Sequence, residues 1–236
     1  MKNPTSTLTL LIFCALLTGC SAQYAKLDGR WSYVAWDEGR GRTVTPVKGA
    51  DATSFRQLED ADYAKDMSSV YKEGQKIDDA DPATFTHISD VFWRDAHGVY
   101  FDGKKVVGAD PVSFRPLPIK PWSKDSVHCF RGPLVVPSSD PITFVPINFY
   151  WAKDANHFYA YGFKDVLIVP CDYASMMMLN AEYAKDKQHV FWLGIEIIGA
   201  DAATFEIISE TLAKDKFRRY SGPEEYWMDK KKRESQ

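Results

Sequence analysis

One aspartate recurs along this chain at near-constant intervals, and that spacing limits the fold more than any other feature. Starting from Asp66 in Tyr63-Ala64-Lys65-Asp66, equivalents stand at Asp95, Asp125, Asp154, Asp186 and Asp215, in steps of 29, 30, 29, 32 and 29 residues. Nineteen positions after the first five comes an aromatic residue: Phe85, Phe114, Phe144, Tyr173 or Phe205. Fifteen positions after them comes a second aspartate, Asp81, Asp110, Asp140 or Asp201, with Val169 in its place once. Proline follows as Pro82, Pro111, Pro141 or Pro170, with Ala202 the exception. An earlier copy keeps Gly49-Ala50-Asp51 and Phe55 but has Trp36 where the first aspartate belongs. The chain thus holds six units of about 30 residues and a truncated seventh, Ala213 to Tyr220. A unit that short buries too little apolar surface to fold alone, so neighbours must share a continuous apolar seam.

Inside each unit the pattern is that of strands. Four and five positions after the aspartate stand apolar pairs, Val70-Tyr71, Val99-Tyr100, Cys129-Phe130, Phe158-Tyr159 and Val190-Phe191. A glycine follows (Gly74, Gly103, Gly162 and Gly194, with Gly132 one place early), then a second apolar pair such as Val106-Val107 or Ile197-Ile198. β-Branched and aromatic residues split by glycine in a short polar turn predict a β-hairpin. Next, Asp followed by Pro supplies a cap and a first helical position, which predicts one helical turn or a type I turn. A third apolar position, Ile88, Leu117, Ile147, Met176 or Ile208, places a short strand after the aromatic residue. No segment keeps a helical period over several turns. The expected fold is all-β: an array of hairpin repeats with short helical turns, sharing a core built on the aromatic residue and these apolar positions. Phe114 is expected at a seam between units, and Asp110 to act as a cap.

Of the 236 residues 45% are hydrophobic and 26% charged, which excludes a disordered polymer. The formal net charge is -3, with 29 basic and 32 acidic residues, so nothing draws the chain to a phosphate backbone and nucleic acid is not an expected partner. At the N-terminus, Lys2 precedes an apolar stretch from Leu8 to Leu17 that is too short to span a bilayer and reads as an export signal.

That stretch ends in Leu17-Thr18-Gly19-Cys20, followed by Ser21, which resembles the bacterial lipobox. The resemblance implies acylation of Cys20, cleavage before it, and a chain tethered in the cell envelope. Serine after the cysteine favours the outer membrane. Several acyl chains anchor firmly, because each buried CH2 adds about 0.8 kcal/mol. The domain plan is then a signal over 1–19, a tether over 20–30, the repeat domain over 31–220 and a polar tail over 221–236. The run Lys230-Lys231-Lys232-Arg233 in that tail reads as a solvated end.

Asp186-Lys187-Gln188-His189-Val190-Phe191-Trp192 with Gly199-Ala200-Asp201, and the whole stretch from Asp95 to Phe114, resemble the DKNYY repeat family of bacterial proteins. The resemblance runs from about Tyr63 to Tyr220 and implies a repeat architecture but no activity.

The candidate chemistry is weighed against construction. Two aspartates in every unit invite calcium, yet no D-x-[DN]-x-[DN]-G loop occurs, and residues repeated in each unit are those needed to build each unit. His128, His157 and His189 share one slot, three after the aspartate, and are weak candidates for a metal ladder. Met176-Met177-Met178 near Cys171 invites copper, with apolar filling as the rival. Cys129 and Cys171 are the thiols left after lipidation and are disulfide candidates in an oxidising compartment, with buried free thiols as the rival. Trp93, Trp122, Trp151 and Trp192 either grip a sugar or protein or pack inside. Gly-x-Ser-x-Gly, His-Glu-x-x-His, a P-loop and Gly-x-Gly-x-x-Gly are all missing, so no catalytic residue and no cofactor is assigned and enzyme status stays open. The functional expectation is a lipid-anchored envelope module for interaction or structure, touching the membrane through its lipid and envelope proteins or glycans through its surface. The alternative is a periplasmic metal-binding protein or enzyme using the unrepeated His, Cys and Met residues.

Overall fold

The computed structural model describes residues 22–89, 91–210 and 212–221. The signal segment, Cys20 and the tail beyond Ser221 lie outside the described residues. The chain is all-β, apart from one short 3-10 turn over Tyr173–Ser175. Seven small antiparallel sheets follow one another in chain order among the described residues. Two compact units part between Asp78 and Asp79.

The first unit holds two sheets. One is a three-stranded meander of Gln23–Leu27, Arg30–Asp37 and Gly41–Pro46. Residues 23–27, expected to belong to a tether, are therefore a strand; Asp28 and Gly29, both at positive φ, turn it into its partner. The second sheet is the repeating form, with strands Arg56–Gln57, Tyr63–Lys65, Val70–Lys72 and Gln75–Ile77 in that spatial order. Their shared core is Tyr24, Tyr33, Val47, Phe55, Ala64 and Tyr71.

The second unit holds the third to seventh sheets, with central hairpins at Phe92–Arg94 and Val99–Phe101, Trp122–Lys124 and Cys129–Arg131, Trp151–Lys153 and Phe158–Tyr161, Tyr183–Lys185 and Val190–Trp192, and Leu212–Lys214 and Arg219–Ser221. The expected hairpin across the glycine is present, and so is the short strand after the aromatic residue, as in Arg115–Pro116 and Val145–Pro146. That short strand pairs with a three-residue strand ending at the residue before the first aspartate, which the sequence pattern did not indicate. In the hairpin turns Glu73-Gly74, Asp102-Gly103 and Leu193-Gly194, both residues have positive φ, the geometry that matches the twist of paired strands. At Gly194 a Cβ would also come within 2.5 Å of the Ala160 methyl in the preceding sheet.

Successive side chains of a strand point to opposite faces, so a strand buried at consecutive residues must be covered on both sides. That is how the units join. From the fourth sheet, Trp122, Cys129 and Val136 pack forward against Phe144, Ala152 and Tyr159, while Phe130 packs backward against Phe92, Val99 and Phe114. From the fifth, Trp151, Phe158 and Val169 pack forward on Ala184 and Phe191. The sixth repeats the arrangement, with Tyr183, Val190 and Trp192 against Phe205, Ala213 and Tyr220. The aromatic residue after the Asp-turn bridges two sheets in the middle of the second unit: Phe114 lies 5.1 Å from the Phe92 ring and 5.8 Å from Phe130, and Phe144 lies 5.8 Å from both Trp122 and Tyr159. The seam expected at Phe114 is present.

Candidate functional site

The most concentrated chemistry in the molecule is a carboxylate network that repeats six times. It begins with the local preference of aspartate for turns, where a side-chain oxygen accepts from the backbone two residues on. Asp66, Asp95, Asp125, Asp154, Asp186 and Asp215 each close the tight turn between the two central strands and are buried. In each, Oδ1 accepts the N–H groups two and three residues later; for Asp154 these are Asn156 and His157, both at 2.8 Å. Oδ2 accepts the N–H of the second aspartate of the preceding turn: Asp51 to Asp66 at 2.9 Å, Asp81 to Asp95 at 2.7 Å, Asp110 to Asp125 at 3.0 Å, Asp140 to Asp154 at 2.9 Å, Asp172 to Asp186 at 2.8 Å and Asp201 to Asp215 at 2.9 Å. A phenol five residues on donates to the same Oδ2 from Tyr71, Tyr100, Tyr159 and Tyr220.

The second aspartate completes the ring. Its Oδ2 accepts the hydroxyl three residues later, as in Thr143 to Asp140 at 2.7 Å and Ser175 to Asp172 at 2.9 Å. The same hydroxyl oxygen accepts the N–H that follows the first aspartate, as in Ala155 to Thr143 at 3.0 Å. The backbone N–H of the seam aromatic returns to the second aspartate's carbonyl in Phe55, Phe85, Phe114 and Phe144, all at 3.0 Å, which is the expected single turn.

Two parts of this network were not read from the sequence. The second aspartate of the fifth copy is Asp172, not position 169. Three extra residues in the hairpin of Phe158–Tyr161 and Val166–Val169 displace it, and counting back 14 residues from Asp186 finds it. With the frame moved, Met176 takes the aromatic slot and packs against the Trp151 and Phe158 cluster, while Tyr173 sits on the turn and donates its hydroxyl to the Asp154 carbonyl at 2.7 Å. The other part is the basic residue directly before each first aspartate: Lys65, Arg94, Lys124, Lys153, Lys185 and Lys214. Arg94 donates to the Pro111 carbonyl at 3.0 Å, Lys124 to the Pro141 carbonyl, and Lys185 to the carbonyls of Ala202 at 2.7 Å and Phe205 at 3.2 Å. Arg94, Lys124 and Lys185 thus tie down carbonyl groups of the Asp-turn.

The electrostatics follow from the donors. Burial opposes the charge on Asp186, but the N–H groups of Asp172, Gln188 and His189 outweigh it and hold the carboxyl at about 2. Asp66, Asp154 and Asp215 are lowered for the same reason, against the same burial. Burial, followed by the hydrogen bond to the carboxylate, pushes the phenols of Tyr71 and Tyr220 up to about 12. A carboxylate offers about four lone-pair directions. In Asp95, Asp154 and Asp215 four donors occupy them. In these three copies the first aspartate is taken up in construction, with its lone-pair directions filled by the protein's own donors.

The unrepeated candidates stand apart from one another. His128, His157 and His189 each use their backbone N–H in their own turn. Their Nδ1 atoms lie 4.0, 3.8 and 3.2 Å from the carboxylates of Asp125, Asp154 and Asp186, so each ring attends its own aspartate. Among the described residues no three His, Cys, Asp or Glu side chains gather as a metal-holding group. Cys129 and Cys171 are free thiols: Cys129 belongs to the core shared by the fourth and fifth sheets, and Cys171 packs against the next core. The bridge is not formed. Burial pushes both thiols up to about 11, which favours the protonated form. Trp93, Trp122, Trp151 and Trp192 are all buried, so of the two readings these four follow packing inside. The first three lie in the strand before the first aspartate, which the sequence did not reveal, and Trp93 stacks on Phe85 at 5.0 Å.

The model of the DKNYY family matches residues 33–91 and 92–224. No curated protein and no solved structure matches the chain.

Proposed function

The chain belongs to the DKNYY family, and from that premise we propose a lipid-anchored repeat protein of the bacterial cell envelope, on the outer membrane, that acts as an interaction or structural module. One observation carries the module reading. The side chains that recur in every unit are taken up in building the turns and seams, while the varying slot two residues after the second aspartate is exposed where it is apolar. Val112 and Ile142, which occupy the same variable turn slot in consecutive units, are 86% and 89% exposed, and Val127 beside them is 62% exposed. Repeat proteins recognise partners through such varied surface positions on a fixed frame. The exposed apolar side chains Val112, Val127 and Ile142 suit a protein partner.

Anchoring is supported by the lipobox-like run ending at Cys20 and by the short apolar stretch before it. Among the described residues no helix is long and apolar enough to cross a membrane, which says nothing of barrels built from strands. The metal or enzyme alternative draws on His128, His157, His189, Cys129, Cys171 and the methionines. The histidines face separate carboxylates, and Cys129 and Met176 fill the core, so that reading gains no support.

The test is palmitate labelling of the wild-type chain and the Cys20→Ala variant, combined with co-purification from solubilised envelopes. The wild type should take up label and retain a stoichiometric envelope protein, and the variant should remain unlabelled. Label in the variant would overturn the anchor, and a native lipidated chain that purifies alone would overturn the interaction role.

A further inference from the structure

Arg131 is the last residue of its strand and is only 6% exposed. Its slot, six after the first aspartate, holds Lys72, Phe101, Ala160, Trp192 and Ser221 in the other units, so the fold does not require a cation there. Where the slot is basic elsewhere, a carboxylate accompanies it: Lys72 Nζ lies 2.6 Å from Glu73. Arg131 has no such partner among the described residues. Its Nε donates to the Phe149 carbonyl at 3.2 Å, while Nη2 is buried with no hydrogen-bond partner. Aromatic rings enclose the guanidinium, whose carbon lies 3.5 Å from the Tyr161 centroid, 4.4 Å from Phe149 and 5.7 Å from Trp122.

A buried cation without an anion is costly, and aromatic faces offset only part of that cost. Desolvation accordingly lowers the guanidinium's pKa from its ordinary value, with the nearby phenols of Tyr161 and Tyr150 acting against it. Lys124 is also buried without an anion but donates to the Pro141 carbonyl, whereas the buried Nη2 of Arg131 has no acceptor, a feature of one unit only that the repeat does not explain. The planar fork of arginine suits the two oxygens of a carboxylate or phosphate, and with Nε committed to Phe149 the Nη edge is left to receive them. Phe149 is half exposed, in the loop between Pro146 and Trp151, and its ring covers the guanidinium.

We propose that Arg131 is the cationic anchor of an oxyanion-binding site, walled by Trp122, Phe149 and Tyr161, that takes a carboxylate or phosphate group once the Phe149 ring swings aside. The ligand's oxygens complete the hydrogen bonding of Nη2 and neutralise the buried charge. The site does not depend on the lipid anchor or on a protein partner.

The test follows the Arg131 Nε–H resonance of the 15N-labelled full chain in detergent, titrated separately with inorganic phosphate and with acetate at constant ionic strength. The resonance is assigned by its loss in Arg131→Met. A saturable shift confined to Arg131 and its aromatic neighbours is expected with at least one anion, and the stronger arm tells phosphate from carboxylate chemistry. Ligand-induced thermal stabilisation should vanish in Arg131→Met. In Arg131→Lys, which keeps the charge and loses the fork, affinity should fall on the order of tenfold. No saturable shift with either anion, or stabilisation that persists unchanged in Arg131→Lys, would overturn the site. The lysine variant decides the matter if the methionine variant does not fold.

Discussion

Replacing Asp154 with alanine should lower the free energy of unfolding by about 4 kcal/mol. The substitution removes one small, buried side chain but leaves four donors without an acceptor: the N–H groups of Asp140, Asn156 and His157 and the phenol of Tyr159. A buried donor left unpaired costs about 1–3 kcal/mol, and access to water at the edge of the turn recovers part of the total. The chain itself calibrates one of the four. Phe130 and Phe191 stand where Tyr159 does, so the phenol is dispensable, and Tyr159→Phe should cost only about 1 kcal/mol. Urea unfolding of the three proteins gives the comparison. Equal midpoints for Asp154→Ala and wild type would mean that the network does not hold the turn.

Phe114→Ala should cost a similar amount, about 3–5 kcal/mol, for a different reason. Phe114 is 4% exposed and touches rings of both the third and fourth sheets, so truncation opens a void at a joint between units. Asp110→Ala, four residues earlier, weakens the turn that presents Phe114 without emptying the seam and should cost about 1 kcal/mol. The order of the two thermal midpoints is the informative result: Phe114→Ala should melt well below Asp110→Ala. A silent Phe114→Ala would mean that the seam does not join the sheets.

What could be read from the sequence was whatever is local or strictly periodic. The hairpins across Gly103 and Gly194 show in the Val-aromatic pairs and the turn residues, and the Asp-Pro step announces its own turn. Phe114 and its equivalents were legible because an aromatic recurs four residues after the second aspartate, at a fixed interval from the first. The strands Tyr63–Lys65 and Tyr183–Lys185 were not legible. Three residues with an alanine and a lysine carry no strand preference of their own and become strands only through pairing and burial on both faces. That gap left Trp122 and Trp151 open between a binding surface and the core, and those positions bury them completely. Asp172 was missed because its interval was counted forward across an insertion, although its bond runs to the aspartate that follows. Arg131 gave no signal as a single basic residue; only its burial between aromatic rings sets it apart.

The repeated carboxylates also fix how stability depends on pH. Asp66, Asp154, Asp186 and Asp215 bind protons more weakly when folded, so their contribution is complete above the unfolded aspartate value of about 4 and is lost as pH falls toward their folded values, about 2 for Asp186. On the alkaline side, Tyr71 and Tyr220 hold their protons more tightly when folded. Their contribution is complete below about 10 and is lost as pH rises toward about 12.

The central claim is that these aspartates build the units and leave function to the unrepeated surface, and carboxyl 13C NMR titration with and without calcium tests it most directly. The account predicts that the Asp186 carboxyl titrates near 2, about two units below an exposed aspartate, and that calcium at constant ionic strength moves none of the six first-aspartate resonances. An Asp186 titration at the ordinary value, or saturable calcium shifts recurring at each Asp pair, would contradict it.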